Sequence, residues 1–147
     1  MSARLVYLAG PVEIKDTWRE RAARELTQSG FTALNPLRGE DYKQIGKHVI
    51  SDIPDALIVS RDLNDLYRTM MSGGLCLMNL STTAEGRRPI GTLFELQYCY
   101  DNRIPVVAVM GDKCDPAYRK HPWIKTMVGY EAQSVTDALK LISTYFR

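Results

Sequence analysis

Few of the residue types that mark a specialised chemistry are plentiful in this chain. Cysteine occurs three times, at Cys76, Cys99 and Cys114, an odd number without a Cys-x-x-Cys pair. That excludes a disulfide framework and a structural zinc site of the usual spacing, and the thiols read as packing residues of an intracellular protein. His48 and His121 are the only histidines and share no ligand-like spacing with a cysteine or with each other. No metal held by protein ligands alone is therefore expected, and no cofactor. No apolar run nears the roughly 20 residues that span a bilayer. Met1-Ser2-Ala3-Arg4 leads straight into a strand-like run without a leader-like hydrophobic region. A cytoplasmic protein with no membrane partner is expected. Lys and Arg number 19 against 17 Asp and Glu, a net charge of +2 with no long basic block. The footprint of non-specific binding to a nucleic-acid polymer is missing, while a small anionic ligand stays open.

Internal repeats and low-complexity tracts are absent too. The 147 residues, 45% hydrophobic and 24% charged, fit one domain over 1–147 with room for a sizeable core. Leu5-Val6-Tyr7-Leu8-Ala9 reads as a buried strand broken by Gly10-Pro11. A charged, periodic segment from about Asp16 to Gln28 predicts a helix capped by Asp16, with Trp18, Ala22, Ala23 and Leu26 as its apolar face and Ser29-Gly30 as its end. Phe31 to Leu34 is a second short strand, entering the turn Asn35-Pro36-Leu37-Arg38-Gly39 and then a polar loop. Ile53 to Met71 has helical spacing, with Pro54 near the first turn. After Gly73-Gly74, the unbroken apolar run Leu75 to Leu80 predicts a central strand covered on both faces. A polar loop from Ser81 to Ile90, a helix carrying Glu95, a strand near Ile104 to Met110, a loop from Asp112 to Pro122 and a closing helix from Ser134 to Phe146 complete the pattern.

Strands alternating with helices predict an α/β fold: a single doubly wound, mainly parallel five-stranded sheet with helices on both faces, flavodoxin-like or Rossmann-like. Such sheets bind ligands beyond the carboxyl ends of their strands, where strand order reverses. Tyr7 to Pro11, Asn35 to Gly39 and Asn79 to Glu95 all fall on that rim. Within it Glu95 stands out. Gly91-Thr92 turns into an apolar stretch that carries it, and a carboxylate in a first helical turn feels the positive end of the backbone dipole. It is expected to stay ionised and to serve as an anionic nucleophile, although glutamate in a first turn also serves as a plain stabilising charge.

Tyr7-Leu8-Ala9-Gly10-Pro11, Trp18-Arg19, Asn35-Pro36, Arg61-Asp62-Leu63 and Gly91-Thr92-x-x-Glu95 follow one another along the chain. In that order they resemble the nucleoside 2-deoxyribosyltransferase family, which includes relatives that hydrolyse the N-glycosidic bond of nucleoside 5′-monophosphates. The resemblance covers almost the whole chain and weakens after Asp112. It implies that Glu95 attacks the anomeric carbon, expels the base and leaves a glycosyl ester, which a second base or water resolves. It implies Asp62 as the group that assists the leaving base, with Asp65 one helical turn away as its competitor, and Tyr7 as the hydroxyl that holds Glu95. Tyr7 could equally be a core tyrosine. Substrate contacts are implied for Gly10, Pro11, Trp18, Arg19, Asn35, Asp65, Pro89, Gly91 and Thr92, although Trp18 also suits the apolar face of its helix and Arg19 an exposed charge.

The partners so implied are a nucleoside or nucleoside monophosphate, a free nucleobase, and further copies of the chain in a dimer or higher homo-oligomer whose neighbours complete each sugar pocket. Three alternatives stand: a transferase, a monophosphate N-glycosidase using the same glutamate, and a noncatalytic nucleotide-binding module. The chain departs from the family pattern in places. Pro89 stands six residues before Glu95, where the transferases commonly have an aspartate and the monophosphate hydrolases a serine. Proline offers neither contact. Arg87 and Arg88 could supply charge for a 5′-phosphate or could simply be solvated. The stretch Arg68 to Gly74 is longer than usual, and Gly74 replaces an aspartate.

Overall fold

Alternate residues of a strand point to opposite faces, and in the first strand both sets are apolar. In the computed structural model, which describes residues 3–13, 18–38, 42–45, 48–84 and 86–147, that strand is β1 (Leu5–Ala9). Val6 and Leu8 pack with Ala22 and Leu26 of α1 (Trp18–Gln28) and with Ala138, Leu139 and Ile142 of α6 (Val135–Tyr145). Tyr7 and Ala9 pack on the other face with Leu66 of α2 (Asp55–Met71) and Leu96 of α3 (Ile90–Asp101). All four strand residues are fully buried. Burying each such aliphatic side chain is worth about 1.5–3 kcal/mol.

The five-stranded sheet runs β2–β1–β5–β6–β7, with β2 (Thr32–Leu34), β5 (Leu75–Asn79), β6 (Val106–Val109) and β7 (Tyr130–Ala132). Every neighbouring pair is parallel. The fold is thus doubly wound α/β. From β1 the chain steps outward to β2, then returns to place β5 on the opposite side, so strand order reverses between β1 and β5. Gly74 makes that close pairing possible: a Cβ there would lie 1.9 Å from the Leu5 carbonyl oxygen. The aspartate that the family pattern suggests at this position has no room.

The polar loop expected after β2 is a two-stranded antiparallel hairpin, β3 (Tyr42–Ile45) and β4 (His48–Ser51), paired Tyr42 to Ser51 and Ile45 to His48. The fifth strand, counted but not located from sequence, is the three-residue edge strand β7. The expected loop from Asp112 to Pro122 contains α4 (Pro116–Lys120) and leads into α5 (Pro122–Met127). The helix expected from Ile53 begins at Asp55, with Pro54 as its N-cap. Asp16 as the cap of α1, and Gly39 at the end of its turn, lie outside the described residues. Ser134 caps α6 by accepting from the Asp137 amide at 3.1 Å. Among the described residues no helix is long and apolar enough to cross a membrane.

Candidate active site

A cavity of about 400 Å³ lies beyond the carboxyl ends of β1, β2 and β5. Gly10, Pro11 and Arg19 form one side, Pro36 and Leu37 the turn after β2, and Asp55, Ile58, Arg61 and Asp62 the wall from α2. Arg87, Arg88 and Pro89 lead into Gly91 and Thr92 of α3, while Tyr42, Val49, Ile50 and Ser51 of the hairpin close the remaining side.

Glu95 lies one turn beyond Thr92 on α3. Because this helix starts at Ile90 after Pro89, Glu95 falls in the second turn rather than the first, where the dipole acts less strongly. Glu95 is half-buried and is not among the residues that line the cavity, and the Tyr7 hydroxyl donates a hydrogen bond to its Oε2. Alternation along β1 turns Tyr7 toward α3, and the pairing of Tyr7 with Cys76 keeps it in mid-sheet. Burial pushes the Glu95 carboxyl up to about 7, the Asp62 charge pushes the same way, and the Tyr7 hydrogen bond and Arg19 oppose it. The expectation of a carboxylate ionised throughout is therefore corrected: near neutrality Glu95 is poised between its two forms. Burial, then the charges of Glu95 and Asp62, push the Tyr7 phenol far above its ordinary range, so it remains a donor.

Asp62 is on the cavity wall with its side chain 25% exposed, 3.7 Å from the Arg61 guanidinium. Asp65 is elsewhere. Its side chain is fully buried, with Arg38 Nη2 donating to Oδ1 at 2.8 Å, Arg38 Nη1 to Oδ2, and Arg68 3.5 Å away. It forms a structural ion pair tying α2 to the turn after β2 and is not a solvated helix face; it is not among the residues that line the cavity. Replacing Arg38 by Ala leaves that buried carboxylate with Arg68 alone and should lower unfolding stability by about 2–4 kcal/mol in urea, leaving the cavity's own groups in place.

The remaining expected contacts divide. Pro11, Pro89, Gly91 and Thr92 line the cavity, as does Gly10, where Trp18 and Asn79 leave little room for a side chain: a Cβ there would lie 3.0 Å from Trp18 Cζ2 and 3.2 Å from Asn79 Cβ. Trp18 and Asn35 do not line it. Trp18 packs on the α1 and α6 side of the sheet, and Asn35 turns its own loop, its Oδ1 accepting from the Leu37 amide at 2.9 Å. Arg19 is not an exposed charge: it is 2% exposed and bonded to the backbone of the β1 turn. Pro89 serves as N-cap of α3, without a side-chain cap bond. Arg87 Nη2 donates to the Val12 carbonyl at 2.8 Å, and Arg88 pairs with Asp115 at 3.2 Å. The three cysteines are buried and free.

Two contributors to this site had no role of their own assigned from sequence. Arg61 joins the wall and donates to the Pro36 carbonyl, bracing the turn that Asn35 begins. The hairpin also had a sequence signal, two short runs flanking Gly46-Lys47, with β-branched Val49 and Ile50 in the second. Among the described residues no cluster of three or more His, Cys, Asp or Glu could hold a metal ion. No protein-family model matches the chain, and no curated protein matches it.

Proposed function

We propose that this chain is a nucleoside 2-deoxyribosyltransferase that acts in the cytoplasm, cleaving the N-glycosidic bond of a 2′-deoxynucleoside through a covalent ester on Glu95 and passing the sugar to another base. One observation carries the reading: a half-buried carboxylate gripped by the Tyr7 hydroxyl, on the helix whose first turn lines a cavity at the reversal of strand order, with Asp62 on the cavity wall. Burial penalises the Glu95 anion. When Oε attacks C1′ the anion becomes a neutral ester, so the penalty is relieved as the bond forms, which favours the reaction over the resting state. The C1′–N electron pair leaves with the base, which Asp62 assists by hydrogen bond or proton. A second base then attacks C1′ as the C1′–Oε bond breaks, passing its N–H proton to Asp62 and freeing the carboxylate.

A second reading, hydrolysis of a nucleoside 5′-monophosphate by the same glutamate, is favoured by the four arginines on the cavity wall, Arg19, Arg61, Arg87 and Arg88. Self-association fits either reading. Phe94, beside Glu95, is 75% exposed, and Ile90, Leu63 and Tyr67 are exposed on the same helical layer.

Brief exposure to a 2-fluoro arabinosyl nucleoside should add one sugar mass to the intact protein, mapping to Glu95 and absent from Glu95→Gln; an adduct on any other residue rejects this mechanism. Deoxyinosine incubated with free adenine should yield deoxyadenosine. Release of deoxyribose instead favours water as the acceptor, and turnover of deoxyinosine 5′-monophosphate alone favours the second reading.

A further inference from the structure

Asp55, Ile58 and Asp62 of α2 stand at a spacing of three and then four residues, which sets them on one helical face. All three line the cavity, so α2 presents to it an acid, an aliphatic side chain and a second acid in order. At a rise of about 1.5 Å per residue, Asp55 lies about 10 Å from Asp62 along the helix axis, with Ile58 between them. The β3–β4 hairpin meets the same end of α2. Tyr42 pairs with Ser51, which places both on one face of the hairpin, and Val49, two residues from Ser51, shares that face. All three line the cavity. Only residues 52–54 separate β4 from α2, and the Ser51 hydroxyl oxygen accepts from the Ile53 amide at 3.3 Å, holding the hairpin to the start of the helix.

The three acids of α2 differ in what satisfies them. Asp65 is bound by Arg38, and Asp62 lies 3.7 Å from Arg61. Among the described residues no hydrogen bond or ion pair engages the Asp55 side chain. It is an acceptor left open on the wall of a cavity. A carboxylate cannot donate, and two adjacent N–H groups meet its two oxygens in a parallel pair. Guanine offers such a pair, N1–H and the 2-amino group, on the edge away from its sugar. Hypoxanthine has N1–H alone there, and adenine sets an acceptor beside its amino group. The span from Asp62 to Asp55 suits two fused rings better than one.

We infer that the Asp55 to Asp62 face of α2 and the Tyr42 face of the hairpin form the nucleobase subsite, and that Asp55 makes it selective for a purine with two adjacent N–H donors, as in guanine. This assignment rests on the glycosyl-transfer reading, which puts the leaving base at Asp62, and it names the base which that reading leaves open. Tyr42, Val49 and Ile58 supply the apolar surface for the faces of the ring system. Asp55 then meets the edge that carries the two donors.

Titration calorimetry on the full chain carrying Glu95→Gln, which cannot form the sugar ester, reads nucleoside binding without turnover. Deoxyguanosine should bind about tenfold more tightly than deoxyinosine, which lacks only the 2-amino group, and deoxyadenosine should bind most weakly. Adding Asp55→Asn replaces one acceptor by a donor and so matches the adenine edge. Deoxyadenosine should then gain about tenfold on deoxyguanosine, a reversal that a merely structural role for Asp55 would not produce. Tyr42→Leu should weaken all three nucleosides and keep their order. Deoxyguanosine and deoxyinosine within about twofold of each other overturn the inference, as does an order that Asp55→Asn leaves unchanged or Tyr42→Leu alters. If Asp55→Asn is too unstable to titrate, Asp55→Ser decides: loss of the 2-amino advantage supports the inference, and its persistence overturns it. A sugar adduct on Glu95 of the wild-type chain without this order of affinities rejects the base assignment alone. The order without an adduct rejects the covalent mechanism alone, and binding of none of the three rejects both.

Discussion

Replacing Glu95 by Gln is expected to lower glycosyl transfer by about a thousandfold or more while making the folded protein more stable at pH 8. The first effect follows from replacing the proposed nucleophilic carboxylate by a neutral, weakly nucleophilic amide. The second follows from burial. With its carboxyl raised to about 7 from an ordinary 4.5, the folded chain binds a proton that the unfolded chain has already released between those values. Glu95 therefore favours folding relative to its anionic state below pH 4.5, and that advantage is lost as pH rises through about 7. The glutamine variant does not ionise, so urea denaturation at pH 8 should show a gain of about 2–3 kcal/mol over wild type, shrinking toward zero near pH 4.5. A loss of stability at pH 8 would mean that the carboxylate holds the fold together instead of straining it.

Asp62→Asn carries the second large effect, a fall in kcat of about a hundredfold with a natural deoxynucleoside. The loss should shrink with a deoxyriboside whose leaving group is already a stable anion, since such a group needs little help as the C–N bond breaks. The pH profile gives an independent check. Wild-type kcat/KM should climb about tenfold per pH unit below the Glu95 midpoint near 7 and level off above it. Asp62 raises that midpoint, so the asparagine variant should rise at lower pH. An unchanged limb with a full loss for both substrates would exclude Asp62 from the leaving-group step.

Hydrophobic patterning made the central sheet legible. Leu5 to Ala9 and Leu75 to Leu80 are continuous apolar runs because helices cover them on both faces, and that environment leaves an unmistakable trace in composition. Tyr130 to Ala132 left almost none. It is a three-residue edge strand with only Ala132 buried, so neither length nor alternation marks it. The hairpin over the cavity was hidden by its polar residues, which suit solvent on one side. Glu95 could be found from its surroundings in sequence, but its ionisation could not. Its shifted carboxyl depends on burial among β1, α2 and α1, none of them close to it along the chain. Arg19 was obscured similarly: an arginine near a helix start usually meets water, and only the folded turn of β1 supplies the three carbonyls that enclose it. Asp65 and Asp62 are alike in local sequence, and only tertiary geometry sends one to Arg38 and the other to the cavity.

The bond between Tyr7 and Glu95 joins residues 88 positions apart. Closing so long a loop has an entropic cost that is recovered only once the intervening β5 has taken its place beside β1. A growing or partly opened chain therefore holds no primed glutamate. On the proposed reading, chemical competence therefore waits for the pairing of β1 with β5.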